Sequence, residues 1–127
     1  MELAAFVHAL DRLTLDDIRA LAVDIDAMTA TTAEEIDVTK AFLHIEATLR
    51  REHRLREAAM AGHRAMQAVT HAAERCGAEL PNGAVTRVAR WAATVARGVV
   101  ADRAAHDDVL LIGHGCDHIA DLARLVA

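Results

Sequence analysis

Apolar residues recur along this chain at helical spacing, and the chain divides where that spacing stops or changes face. Residues 2–11 read as a short helical piece. Thr14 then stands where a second helix needs a cap, and Leu15, Ile18, Leu21, Ala22 and Ile25 share one face of a helix running to about Met28. Thr32-Ala33-Glu34-Glu35 has the form of a capping box, in which the threonine hydroxyl accepts from the glutamate amide and the glutamate carboxylate answers the threonine amide. No proline follows until Pro81, and Gly77 suits a C-terminal stop, so the pattern predicts helix from about 33 to 76. Gly77 to Gly83 is a turn. Asn82 is the expected cap of a third long segment that runs to about Ala105, after which Asp107 or Asp108 caps a fourth ending near Val126, or the third simply continues. Gly113 and Gly115 weaken helix there without forbidding it.

The segment 33–76 carries two apolar stripes. Leu55, Ala59, Gly62, Met66, Val69, Ala73 and Cys76 form one, while Val38, Phe42, Ile45 and Leu49 form another, displaced by roughly 120° at 100° per residue. The face therefore switches between Arg50 and Arg56. A straight helix of this length would measure about 66 Å, whereas a compact domain of this size is roughly 36 Å across. Either the helix breaks near 50–56, or it is continuous and buries its two faces against different neighbours, one of them in a second subunit. Because Arg50-Arg51-Glu52-His53-Arg54 contains no glycine or proline, the continuous form is the expectation. On the next segment Val85, Val88, Ala92, Val95, Ala96 and Val99 face one way, with Arg87, Arg90, Thr94 and Arg97 opposite. The expected fold is all-α: a single domain, 1–127, forming an antiparallel helical bundle on a long helical hairpin (about 33–76 and 83–126), with shorter N-terminal helices.

Composition sharpens that picture. Alanine supplies 29 of 127 residues, Pro81 is the only proline, tyrosine and serine are absent, and Phe6, Phe42 and Trp91 are the only large rings. Helices rich in alanine pack closely, and their faces carry no chemistry. At this length a core forms without disulfides or structural zinc, and Cys76 and Cys116, isolated and without a CxxC, fit a reduced, cytoplasmic setting. Neither a signal peptide nor a membrane span is expected around the N-terminal apolar stretch. Thirteen arginines against the single Lys40 suggest a GC-rich bacterial source.

The net charge of −5 is unevenly spread. Residues 1–39 hold nine acids against Arg12 and Arg19, a balance of −7; residues 40–105 come to +5, and 106–127 to −3. Acidic head, basic middle and acidic tail are expected to neutralise one another within the fold or across a dimer. Nucleic acid is not an expected partner, because Arg50, Arg51, Arg54 and Arg56 come without interleaved aromatic residues.

Eight histidines raise the question of a metal. His114 and His118 stand four apart, with Asp121 on the same helical face, which is ligand spacing. They lie almost opposite the stripe of Val109, Ile112, Cys116, Ile119, Ala123 and Val126, so the pair reads as a solvated face or a site shared between subunits. Asp102 and His106 do fall on the Val95–Val99 side if the third helix continues that far, and pairing about position 80 brings Glu52 to the same level. His53-xxx-Glu57 and His114-xxx-His118 are similar to pieces of the hemerythrin pattern, but their order and faces do not match it. No Glu-x-x-His motif of the ferritin-like di-iron proteins occurs, and the Trp-x-Gly turn of the WXG-type proteins is missing. His63 and His71 read as boundary or solvent residues, His44 as ambiguous, Cys76 and Cys116 as inert small hydrophobes, and the methionines and Trp91 as core or interface filling.

Two functions from different classes follow. The first is a non-enzymatic bundle that works by association, as a homodimer or with a protein partner, with no catalytic residues and no cofactor. The second is a helical bundle that binds iron or zinc through some of Glu52, Asp102, His106, His114 and His118.

Overall fold

The computed structural model describes residues 3–29, 32–76 and 83–101, and these fold into five helices: α1 (Leu3–Asp11), α2 (Leu15–Thr29), α3 (Thr32–Arg51), α4 (Leu55–Cys76) and α5 (Ala84–Val100). The all-α bundle is as expected, with no strand among the described residues. Helix α5 is its hub, packing against each of the other four, and α4 is its principal neighbour. The short α1 and α2 are set by local chemistry. Between them Thr14 Oγ1 accepts from the Asp17 amide at 3.2 Å while the Thr14 amide donates to Asp17 Oδ2 at 2.9 Å, a reciprocal capping box. Phe6, Leu10 and Leu13 from the first segment, and Ile18, Leu21, Ala22 and Ile25 from α2, are buried in a common core.

The continuous helix expected over 33–76 is not what forms. The chain breaks at Glu52–Arg54, where His53 takes a left-handed backbone, φ 56°. The Arg54 amide donates to the Leu49 carbonyl at 2.8 Å and the His53 amide to the Arg50 carbonyl at 3.2 Å, the two bonds of a Schellman motif with His53 where glycine usually stands. Arg54 then begins α4: its carbonyl accepts from the Ala58 amide at 2.9 Å, and its guanidinium grips Glu57 in the first turn at 3.1 and 3.2 Å. That grip holds the Glu57 carboxyl below its usual pKa. The break re-aims the chain so that Ile45 and Leu49 of α3 enter the same core as the buried face of α4. The break thus lets Ile45 and Leu49 share one core with α4 although they point to a different side of the sequence's helical pattern. The buried Thr48 beside Leu49 spends its hydroxyl on the His44 carbonyl, 2.9 Å away. The side chains of Val38 and Phe42, and those of the Thr32–Glu35 capping box, lie outside the described residues.

The buried face of α4 also differs from the expected one. It comprises Ala58, Ala61, Gly62, Ala65, Ala68, Val69 and Ala72, rotated by roughly 70° from the line through Leu55, Met66 and Cys76. Alanines take the centre because α4 and α5 approach closely: a Cβ built on Gly62 would stand 3.4 Å from the Ala93 carbonyl and 3.6 Å from its Cβ. The expected antiparallel pairing of these two segments is present. On α5 the predicted face is largely right, with Val88, Ala92, Val95 and Ala96 buried, and it widens to take in Ala89, Trp91, Gly98 and Val100. Trp91 meets Phe6 edge to face, with ring centroids 6.1 Å apart. Its buried indole nitrogen has no hydrogen-bond partner among the described residues.

Both ends of α5 also depart from expectation. Its N-cap is Gly83 rather than Asn82, left-handed at φ 86° and without a side-chain cap, a conformation that favours glycine. It ends at Val100 instead of near Ala105, because Ala101 turns to an extended ψ of 151°. No described helix is long and apolar enough to cross a membrane.

Candidate functional site

The polar chemistry of the described residues gathers along the seam between α1 and α4. The C-terminal end of α1 meets the C-terminal part of α4. There the Arg75 guanidinium donates to the carbonyls of Asp11 (2.6 Å) and Leu13 (3.1 Å), and the Cys76 thiol donates to Leu13 at 3.7 Å. The Asp11 carbonyl ends α1 and the Leu13 carbonyl lies just beyond it, and a cation from α4 satisfies both where the helix dipole favours positive charge.

One turn earlier His71 Nδ1 lies 2.7 Å from Asp11 Oδ1. An ionised carboxylate can only accept, so Nδ1 carries the proton. The hydrogen bond from His71, helped by the charges of His71, Arg75 and His8, holds the Asp11 carboxyl below its usual pKa. Both partners are solvated, with side-chain exposures of 65% and 44%, so the pair adds little stability. It does fix the ring, leaving Nε2 as the nitrogen a ligand would meet. The seam opens here into a cavity of about 440 Å³ lined by Val7, His8, Asp11, Arg64, Gln67 and His71 among others. Nothing in the local sequence marks this site, because its two walls are some sixty residues apart.

A second recess, of about 300 Å³, lies between α3 and α5 against Ile45, Glu46, Thr94 and Arg97. Arg97 ties three helices there. Its stem passes the Gly62 position on α4 and its guanidinium pairs with Glu46 of α3. Thr94 bonds the Arg90 carbonyl of its own helix at 3.0 Å. This recess is closed by its own ion pair, which leaves no free reactive group in it.

The third feature is apolar. Leu55, Ala59 and Met66 share one line of α4 beside the Gly62 contact, and all three are exposed, Leu55 at 38% and Met66 at 39%. Val23 and Leu43 are exposed singly on α2 and α3. Met60 is exposed on the other flank of α4. Methionine is therefore not core filling at positions 60 and 66, whereas Trp91 is.

Of the residues proposed as metal ligands, only Glu52 is described. It sits half-buried in the α3–α4 turn, 3.8 Å from the Arg54 guanidinium. Asp102, His106, His114 and His118 lie outside the described residues, as do Asp121 and Cys116, and the unbroken helix meant to carry Asp102 and His106 past Val99 stops at Val100. Among the described residues no three histidine, cysteine, aspartate or glutamate side chains converge to hold a metal ion. His63 is exposed and His71 is solvated, as expected; His44 is exposed too. Cys76 is half-buried, its thiol on the Leu13 carbonyl. The acidic head does meet the basic middle within one chain, through Asp11 with His71 and through Asp26 with Arg87 at 3.0 Å. No protein-family model, curated protein or solved structure matches this chain.

Proposed function

We propose that this protein works by association, as a homodimer that docks through α4, and that it is not an enzyme. The ridge of Leu55, Ala59 and Met66 carries the reading. Three apolar residues on one helical line, next to a close-packed small-residue groove, offer another helix the i, i+4 anchors that helix docking uses. The uneven charge of the chain supports a second copy as the occupant, since the acidic residues 1–39 and the basic residues 40–105 attract each other between copies as they do within one. Chemistry has little to work with here. The chain has no serine or tyrosine, and the described cysteine is engaged with a backbone carbonyl.

The ridge is exposed in one chain, so charging it leaves the fold intact. Lysine at positions 55 and 66 removes burial worth about 1–2 kcal/mol for each side chain and adds like charges across the interface. Each 1.4 kcal/mol raises the dissociation constant about tenfold. Light scattering on Leu55→Lys/Met66→Lys is expected to give a monomer whose far-UV circular dichroism matches that of the parent and whose melting temperature matches that of the parent diluted to monomer. A variant that melts earlier while the parent protein is already monomeric would show that the ridge is covered from within the chain, and the proposal would fall.

A further inference from the structure

We propose that the α1–α4 cavity is a binding site for a small oxyanion, a carboxylate or a phosphate group. The cavity presents three nitrogen donors, His8, Arg64 and Gln67, against the one carboxylate of Asp11, and the outward nitrogen of His71 joins them when that ring is cationic. That carboxylate is already engaged: His71 Nδ1 holds it at 2.7 Å, and the Arg75 guanidinium lies on the carbonyl of the same residue. Arg64, in contrast, enters no ion pair or hydrogen bond with any described residue, and neither do His8 and Gln67.

The arrangement is selective by charge. A cation entering the cavity meets the Arg64 guanidinium and finds Asp11 taken. An oxyanion meets a planar fork able to bind it through two parallel hydrogen bonds, an amide N–H from Gln67, the His8 ring and, in its cationic form, the outward N–H of His71. The Asp11–His71 pair positions the site, because it turns one ring nitrogen to the carboxylate and reserves the other for a ligand. The apolar lining residues Ala4, Val7 and Ala68 accept the carbon skeleton of a short carboxylate as readily as they border a phosphate. The groove, about 440 Å³ and largely open to solvent, has room for a small anion lying along the seam. The site is solvated, so binding in the millimolar range is expected.

On α4, Arg64 and the ridge residue Met66 point in directions roughly 160° apart. The site is thus independent of the association surface, and each is tested without the other.

The test titrates the full chain with inorganic phosphate and, separately, with succinate at constant ionic strength, following the histidine ring signals by NMR. Saturable shifts of the His8 and His71 signals are expected. Saturation with phosphate alone assigns a phosphate ligand, with succinate alone a carboxylate, and with both the shared oxyanion chemistry. Arg64→Gln is expected to weaken binding at least about tenfold, as loss of a charge-assisted bond does, and His8→Gln to weaken it less. Arg56→Gln, an exposed arginine of α4 outside the cavity, leaves it unchanged. Non-saturating shifts, shifts reproduced by sodium chloride, or equal effects of the Arg56 and Arg64 variants would overturn the proposal.

Discussion

Replacing His53 with glycine tests the turn that separates α3 from α4, and the sign of the result distinguishes the observed fold from a continuous helix. His53 has φ 56° and closes a Schellman motif through its own amide and that of Arg54. A side chain in that region crowds the following carbonyl at a cost of about 1–2 kcal/mol, less for histidine, which tolerates the conformation better than most residues. Glycine removes the crowding but gives back about 0.5–1 kcal/mol through the greater freedom of the unfolded chain. The net expectation for His53→Gly is a gain of about 0.5 kcal/mol. His53→Ala keeps a Cβ and loses whatever local tolerance histidine has, so it costs up to about 0.5 kcal/mol. In the interior of an unbroken helix the order reverses. There alanine would gain about 0.6 kcal/mol over histidine, and glycine would lose about 0.4 kcal/mol. Urea unfolding followed by far-UV circular dichroism, with all three proteins analysed at a common m-value, resolves a gap of this size between the two variants. Alanine more stable than glycine at position 53 would refute the break.

Two further substitutions probe the interhelical contacts. Gly62→Ala is expected to stabilise by about 0.5–1 kcal/mol, because helix propensity favours alanine and the added methyl would stand 3.4–3.6 Å from Ala93 and Arg97, ordinary contact; Gly62→Val overfills the same gap and costs about 1–3 kcal/mol, as thermal melts of the pair would show. Asp11→Asn bears on pH dependence. The folded carboxyl of Asp11 is held below its unfolded value, first by the His71 hydrogen bond. Its contribution is therefore present above the ordinary aspartate pKa, about 3.9, and is lost as the pH falls through the folded value. The expected stability profiles of parent and variant converge at the acid end and separate above it, and parallel profiles would contradict the pairing.

Much of the fold is legible in the chain. The spacing of Ile18, Leu21, Ala22 and Ile25 and the Thr14 cap mark α2, and the small apolar face of α5 implies a close antiparallel partner. The break at 52–54 escaped the usual signals because no glycine or proline marks it. The face switch between Arg50 and Arg56 was its trace, since a helix that breaks can bring two displaced stripes to one core. On α4 the larger apolar residues drew the expected stripe towards Leu55 and Met66, yet close packing against Ala93 selects for small volume, so the alanines hold the centre and the large side chains flank it. The α1–α4 cavity was illegible for a different reason. Asp11 and His71 are separated by α2, α3 and most of α4, and only the coarse division of charge hints that acids near the N-terminus meet bases further on. Hydropathy periodicity reports which side of a helix is buried, and it carries no register between helices.

The central claim is association through the exposed ridge of α4, and sedimentation velocity over a range of concentrations tests it most directly. The parent protein is expected to sediment as a dimer at micromolar concentration that dissociates on dilution and in high salt, and Leu55→Lys/Met66→Lys as a monomer throughout. A parent protein that sediments as a monomer at every concentration would contradict it.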